Sequence, residues 1–358
     1  MKILQVIPYF CFGGAETMCE NLTYALRKAG HSVTVVSLYG ERTPISRRME
    51  EAGVKIRYLD KKLGLDVSMV PKLAKILKEE APDAVHTHLD VIKYAVAAAK
   101  IVGVRHCVHT VHNVAEEEAE GTLQKIINGT YFRLGWSTPV ALSPKVQESI
   151  VSFYAMKQAQ VPVIYNGIDL SRCMPKESYE AETVRIVHIG RFNHQKNHRG
   201  LLEAFALLVK TNPHCCLDLL GDGELRPEME NYARELEIAD KVRFLGNQQN
   251  VYHYLQNADI FLLPSHFEGM PMTIIEAMGT GLPIVATRVG GVPDMLTDGE
   301  SGILTENAPE DVAVALEKLV SDAALREKMG KNAILESQRF SSETMAEHYV
   351  RVYQGERI

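Results

Sequence analysis

Two glutamates stand eight positions apart in the run His266-Phe267-Glu268-Gly269-Met270-Pro271-Met272-Thr273-Ile274-Ile275-Glu276. Gly269 and Pro271 predict a turn that aims Glu268 away from the chain, and Pro271 suits the start of a helix. Glu276 then falls on that helix among Ile274, Ile275, Ala277 and Met278. A carboxylate in such apolar company needs a partner. A pair of ligand hydroxyls, as on a ribose, would serve; so would an arginine or backbone amides.

Gly190-Arg191-Phe192-Asn193-His194-Gln195-Lys196-Asn197 carries two cations where an apolar run ends and a helical pattern begins. A planar guanidinium fork and a mobile ammonium together suit a diphosphate. A solvated basic loop is the plain alternative. Gly13-Gly14-Ala15-Glu16 occupies a similar junction near the N-terminus. Glycines there let backbone N–H groups approach an anion at a helix start, and they equally suit a tight turn. The run is not a full G-x-G-x-x-G pattern, which disfavours a dinucleotide. In Gly221-Asp222-Gly223-Glu224 the acids are expected to cap the next helix, and Gly221 to allow a close backbone approach.

His86, His88, His106, His109 and His112 cluster in sequence. Strand residues three apart point to opposite faces, so His106, His109 and His112 do not converge on a metal. His86 and His88 share a face without an evident third ligand, and no metal site is expected. His112, at its strand's end before Asn113, is the one placed to face a substrate. No Asp-x-Asp pair occurs in the chain. The commonest carboxylate arrangement for a metal-chelated diphosphate is thereby missing, which raises the value of Arg191 and Lys196 as neutralising charges.

These residues need strands and helices to hold them. Residues 3–7, 32–38, 84–88, 107–111 and 139–142 read as buried strands separated by amphipathic stretches. In the first stretch Met18, Leu22, Ala25 and Ala29 share a helical face, and Gly30 supplies the stop. The pattern restarts with strands at 184–189, 216–220, 242–245, 260–263 and 284–286, with helical patterns at 200–209 and 225–236. This is repeated β-α-β alternation, hence α/β with largely parallel sheets. Tyr165-Asn166-Gly167-Ile168-Asp169 and the polar stretch that follows to Thr183, containing Pro175, read as the hinge. Residues 309–353 read as wholly helical. Ligands of open α/β sheets bind at the carboxyl ends of strands, where Arg191, Glu268 and His112 are all expected.

A length of 358 residues suggests two domains, and 46% hydrophobic residues suffice for two cores. The net charge of -6 argues against generic nucleic-acid binding. Cys11, Cys19, Cys107, Cys173, Cys215 and Cys216 form no C-x-x-C pair and read as reduced, mostly buried thiols of a cytosolic protein. The apolar start is broken by Pro8 and runs into Gly13-Gly14 without a cleavage site, so it reads as a buried strand and not a signal peptide. No apolar run approaches the ~18–20 residues of a spanning helix.

Taken in order, Gly13-Gly14-Ala15-Glu16, Gly190-Arg191 with Lys196, Leu220-Gly221-Asp222-Gly223 and the Glu-x7-Glu run from Ser265 to Glu276 resemble the family-4 retaining glycosyltransferases. The resemblance runs essentially end to end. It implies a GT-B fold of two facing Rossmann-like domains with an interdomain cleft. The expected division is 1–168 plus about 342–358 for the acceptor side and 172–341 for the donor side. The resemblance implies that Arg191 and Lys196 bind the donor diphosphate, that Glu276 binds the nucleotide ribose and that Glu268 contacts the sugar. It also implies that Gly13 and Gly14 close over the phosphates and that His112 lies beside the sugar. Glu268, His112, Arg191 and Lys196 are thus the catalytic candidates. Asn166, Gly221, Asn247, Gly269 and Met270 complete the donor-binding set.

The implied activity is metal-independent, retaining transfer of a hexosyl group from a nucleotide-diphosphate sugar to an acceptor hydroxyl. UDP is favoured over GDP, and bacterial polysaccharide, glycan or glycolipid synthesis is the expected setting. No cofactor is expected beyond the donor, which is itself a substrate. A nucleotide-sugar 2-epimerase of the same architecture and a non-catalytic sugar-binding protein are the alternatives. The expected partners are the nucleotide sugar, a carbohydrate or lipid-linked acceptor and a membrane surface, with no nucleic acid. The membrane would be touched by residues 122–136, where Leu123, Ile126, Ile127, Phe132 and Trp136 accompany Lys125 and Arg133. A helix packed on the sheet explains the same pattern. The expected location is the cytoplasm, at the inner face of the membrane.

Overall fold

The computed structural model describes residues 1–11, 13–119 and 121–356. The chain divides into two units, Met1–Ile168 with Phe340–Ile358, and Asp169–Arg339. Each is built on a parallel sheet.

In the first unit the strands are β1 (Lys2–Ile7), β2 (Ser32–Ser37), β3 (Lys55–Tyr58), β4 (Ala84–His88), β5 (His106–Val111) and β6 (Thr138–Ala141). Its helices are α1 (Gly14–Lys28), α2 (Pro44–Glu51), α3 (Met69–Glu80), α4 (Ile92–Val102), α5 (Ala115–Glu118), α6 (Gly121–Arg133) and α7 (Pro144–Tyr154). In the second unit the strands are β7 (Val184–Ile189), β8 (Cys215–Leu220), β9 (Val242–Gly246), β10 (Ile260–Leu263), β11 (Ile284–Thr287) and β12 (Gly302–Thr305). Its helices are α8 (His198–Thr211), α9 (Arg226–Glu235), α10 (Tyr252–Gln256), α11 (Met272–Thr280), α12 (Pro309–Ser321) and α13 (Ala323–Ser337). The last helix, α14 (Ser342–Tyr353), returns to the first unit.

Among the described residues the strand orders are β3-β2-β1-β4-β5-β6 and β12-β11-β10-β7-β8-β9. Counted within each unit these are the same doubly wound order. Each reverses direction at one place, between β1 and β4 and between β7 and β10. There the following connections splay apart and leave room for a ligand.

The central strands are Val-, Ile- and Leu-rich and buried on both faces, as parallel strands under helices must be. Helix α1 buries Met18, Leu22, Ala25 and Leu26 and ends before Gly30, whose φ of 85° is left-handed. Helix α7 starts with Pro144 behind Ser143, whose hydroxyl accepts from the Val146 amide at 3.2 Å.

Two strands escaped the sequence pattern. β3 is a sheet edge whose Lys-Ile-Arg-Tyr sequence alternates charge with apolar residues, and β12 is a short edge opening on a glycine. The tail at 309–353 is not one continuous helical stretch. It is interrupted at Asp322, which caps α13 by accepting from the Leu325 amide at 2.8 Å, and at a 3-10 turn over Gln338–Phe340.

The chain leaves the first unit and returns to it side by side. The Ile168 amide donates to the Phe340 carbonyl at 3.1 Å and the Ser342 amide to the Ile168 carbonyl at 2.8 Å. A Cβ on Gly167 would overlap the Ser341 carbonyl oxygen, so only glycine fits there. Helix α14 is held through hydroxyls. Tyr353 Oη lies 2.7 Å from His86 Nδ1, and Tyr349 Oη lies 2.7 Å from Thr110 Oγ1.

Burial pushes several imidazoles below their ordinary value, His112 and His188 to about 4, and His86 and His88 well down. In the unfolded chain each returns to about 6.5. Between those values the unfolded chain binds more protons than the native one, so stability falls as the pH falls. The urea midpoint is expected to drop steadily from pH 6.5 to pH 5, above the range where carboxylates titrate. A flat midpoint over that interval contradicts the assignment.

Candidate active site at the carboxyl edge of the second sheet

β7 and β10 are paired neighbours, with Ile186 opposite Ile260 and Val187 opposite Phe261. The loops that follow them therefore emerge side by side at the switch point, although they lie far apart in the chain. Lys196 comes from the first loop and Glu268 from the second. Their side chains meet, Nζ to Oε1, at 2.5 Å, with 16% and 5% of the side chains exposed. Glu268 Oε1 also accepts from the Ser265 hydroxyl at 2.6 Å. The Gln195 side-chain amide donates to the Phe267 carbonyl at 3.0 Å, and the His266 amide donates to the Gln195 carbonyl at 2.8 Å. The two loops are thus fastened along their length, with the ion pair at the centre.

Lys196 is presented by two asparagines. Asn193 Oδ1 accepts from the Lys196 amide at 3.3 Å and closes the 3-10 turn His194–Lys196. Asn197 stands at φ 51°, a left-handed conformation that asparagine tolerates better than most residues. Its side chain accepts from the Gly200 amide at 3.1 Å and donates to the Pro264 carbonyl at 3.1 Å. Arg191 makes a different contact. It is 63% exposed, and its guanidinium lies 3.9 Å from Glu224.

The loops after β7 and β8 are laced together by their backbones. The Gly190 amide donates to the Leu220 carbonyl at 2.9 Å, and the Phe192 amide to the Asp222 carbonyl at 3.0 Å. Gly221, at φ 132°, has no room for a Cβ against the Gly190 carbonyl oxygen, so the close approach expected of it is present. The capping expected of Asp222 and Glu224 is not. Helix α9 begins after Leu225 with no side-chain cap. Asp222 instead accepts from the Gly223 amide at 2.8 Å and pairs with Arg226 at 3.3 Å. The lacing holds these acids outside the helix start. Asn247 is exposed just beyond β9, next to Gly246, whose carbonyl accepts from the Gly221 amide at 2.9 Å.

Glu268, Gly269 and Met270 are buried, and Pro271 is the N-cap of α11. Glu276 lies buried in that helix. Its negative charge adds to burial in raising the Tyr252 phenol, and to burial in pushing the Cys173 thiol up to about 12.

Sequence reasoning missed what braces Glu268 from behind. Gly290, in the loop after β11, has φ 52°, and a Cβ there would collide with the Glu268 carbonyl. The Gly291 amide donates to the Gly269 carbonyl at 2.9 Å, and the Thr287 hydroxyl to the Ser265 carbonyl at 2.6 Å. The paired glycines after an apolar strand, in Val289-Gly290-Gly291, were the available signal. His188 and His198 were also missed. Both are buried beneath the Lys196 loop, with ring centroids 4.8 Å apart.

In the first unit Gly13 is the N-cap of α1, with no side-chain cap bond, and Gly14 is exposed. Asn166 is buried. His112 is half-buried, its Nε2 3.1 Å from His88 Nδ1, and its amide donates to Glu118. His109 turns elsewhere, to Thr87 at 2.9 Å and Glu118 at 3.3 Å. Among the described residues no group of three or more His, Cys, Asp or Glu is arranged to hold a metal ion.

Two family models match this chain. "Glycosyltransferase Family 4" matches residues 12–172, and "Glycosyl transferases group 1" matches residues 174–336. Together they span both units and the loops just described. The chain belongs to the GT-B fold glycosyltransferases related to these groups. It is similar to the UDP-Gal:alpha-D-GlcNAc-diphosphoundecaprenol alpha-1,3-galactosyltransferase of Escherichia coli, at 29% identity over 287 residues, 75% of this chain and 73% of that one. It is also similar to the N-acetyl-alpha-D-glucosaminyl L-malate synthase of Bacillus anthracis, at 29% over 306 residues, 80% of this chain and 78% of that one. Among solved structures, Anabaena Alr3699/HepE in complex with UDP and glucose superposes with a TM-score of 0.87 over 99% of this chain and 100% of that one. At 20% identity that likeness shows the fold.

Gly290→Ala is expected to push the Glu268 backbone off its brace in this glycosyltransferase. Strain of this kind costs about 1–3 kcal/mol. The melting temperature should therefore fall by several degrees. An unchanged melting temperature contradicts the bracing role.

Proposed function

We propose that this glycosyltransferase moves a hexosyl group from a UDP-sugar to a hydroxyl of a carbohydrate or lipid-linked acceptor, with retention at the anomeric carbon, in polysaccharide or glycolipid synthesis. The observation that carries the reading is the partly buried Lys196–Glu268 pair at the switch point of the second sheet. The names of the relatives lend support. One acts from UDP-Gal on a diphosphoundecaprenol acceptor, and one structural neighbour was solved with UDP and glucose.

In this reading Lys196 is a divided donor. An ammonium has three protons. One stays on Glu268 while the others reach phosphate oxygens of the donor. The exposed Arg191 guanidinium folds onto the same diphosphate as its charge develops on departure, and Glu276 takes the ribose hydroxyls. Glu268 accepts from a sugar hydroxyl through Oε2, whose contact with the Gln195 side-chain amide is long, at 3.5 Å. Gly221, Asn247, Gly269 and Met270 line the donor. Gly13, Gly14, Asn166 and His112 are the remaining proposed donor-binding residues. Two cations supply the neutralising charge, which is why the transfer is proposed to run without a metal. The departing phosphate takes the acceptor's proton on the same face, so no protein nucleophile is required.

Contact with the membrane belongs to the same proposal. No helix among the described residues is long and apolar enough to cross a membrane. In and just after α6, Leu123, Ile126, Leu134 and Trp136 are exposed, whereas Phe132 is buried in the core and Ile127 is half-buried. The exposed set, with Lys125 and Arg133, is proposed to rest on the inner, cytoplasmic face of an anionic membrane. Co-sedimentation with vesicles containing phosphatidylglycerol should exceed that with neutral vesicles and fall in a Leu123→Ser, Ile126→Ser variant. Equal recovery from all mixtures contradicts the contact.

Glu268→Gln and Lys196→Ala should each lower sugar transfer by at least about 100-fold, the scale of losing one electrostatic contact to the departing group. Far-ultraviolet circular dichroism should stay unchanged. Near-normal turnover in either folded variant contradicts the site.

A further inference from the structure

A one-way chain of hydrogen bonds runs through the first unit and ends on His112. It begins on helix α1, where the Thr23 hydroxyl donates to the Cys19 carbonyl at 2.7 Å. A hydroxyl has one proton, so Thr23 Oγ1 can only accept from its next neighbour, the Gln5 side-chain nitrogen at 2.7 Å. That contact orients the Gln5 amide and leaves Gln5 Oε1 as an acceptor 2.9 Å from His88 Nε2. His88 must therefore carry its proton on Nε2.

His88 is fully buried, and burial together with the neighbouring His86, His112 and His109 pushes it well below its ordinary pKa, so it holds a single proton. Its Nδ1 is then a lone pair, and the atom 3.1 Å away, His112 Nε2, must be the donor. His112 is itself held neutral by burial, which outweighs the opposing charge of Glu118, and His109 pushes in the same direction as burial. With its proton spent on His88, His112 keeps a lone pair on Nδ1. That atom makes no hydrogen bond among the described residues.

We propose that Gln5 and His88 are positioning residues that lock His112 in the Nε2–H tautomer, so that Nδ1 faces the reaction as a hydrogen-bond acceptor for a sugar hydroxyl. The tautomer of an imidazole is set by whatever its other nitrogen touches. Here the setting is traced to a backbone carbonyl of α1, the helix that starts at the Gly13-Gly14 turn. The consequence for turnover rests on the role proposed above for His112; the tautomer itself does not.

The test separates the two. Long-range 1H–15N correlation spectra of ligand-free protein carrying 15N-labelled histidine, at pH 7.5, report each ring's tautomer, with His112 assigned by its loss in His112→Gln. The expected state is neutral Nε2–H. In Gln5→Glu the new carboxylate stands where Oε1 stood and draws a second proton onto His88. His88 Nδ1 then donates, and His112 switches to Nδ1–H. In Gln5→Met the lock loosens and both tautomers are expected. For Gln5→Glu, kcat should fall at least tenfold while the donor KM stays within about threefold. A wild-type His112 that is charged or Nδ1–H overturns the lock, as does an unchanged tautomer in both folded Gln5 variants. A switched tautomer with unchanged kcat overturns its consequence for the reaction.

Discussion

The second unit's site depends on an ion pair between residues 72 positions apart, Lys196 and Glu268, held where the sheet reverses its winding order. Burying either charge alone would be costly. Burying both together holds only because the geometry is close and Ser265 supplies a further bond. The surrounding contacts serve that geometry. Asn193 and Asn197 shape the lysine loop, Gln195 fastens it to the glutamate loop, and Gly290 supports Glu268 from the far side. An ammonium fixed in this way needs little reorganisation to meet an anion, which is the condition for strong electrostatic stabilisation of a leaving group.

The glycines explain why the frame tolerates so little change. Gly221 and Gly223 let the loops after β7 and β8 share backbone hydrogen bonds at a separation that a Cβ on either would break. This packing removes Asp222 and Glu224 from the helix start and sends them to the Gly223 amide, Arg226 and Arg191. Capping chemistry was the natural reading of an Asp-Gly-Glu run after a strand. It failed because tertiary lacing, invisible in a local window, had already used the backbone there.

Most of the fold was legible in the sequence, because strands buried on both faces leave unbroken apolar runs and Gly30 marks a helix end plainly. The edges were not, since β3 is half polar and β12 is short. The positions of Glu268 and Lys196 in the segments that join a strand to the next helix were legible too, but their direct pairing was not. It follows from β7 and β10 being neighbours, which no local spacing reveals. The histidines illustrate the same limit. Spacing argued against a shared metal, yet the bonds joining His112 to His88 and His88 to Gln5 required three strands placed in register.

If Lys196 holds the donor through its phosphates and Glu276 through the ribose, the two contributions separate in binding. Titration calorimetry of UDP and of uridine, against wild type and Lys196→Ala, measures this directly. UDP affinity should fall by at least about tenfold in the variant, the worth of one charge-assisted hydrogen bond. Uridine affinity should be unchanged. Equal losses for both ligands, or no loss for UDP, would contradict the assignment of the ammonium to the diphosphate.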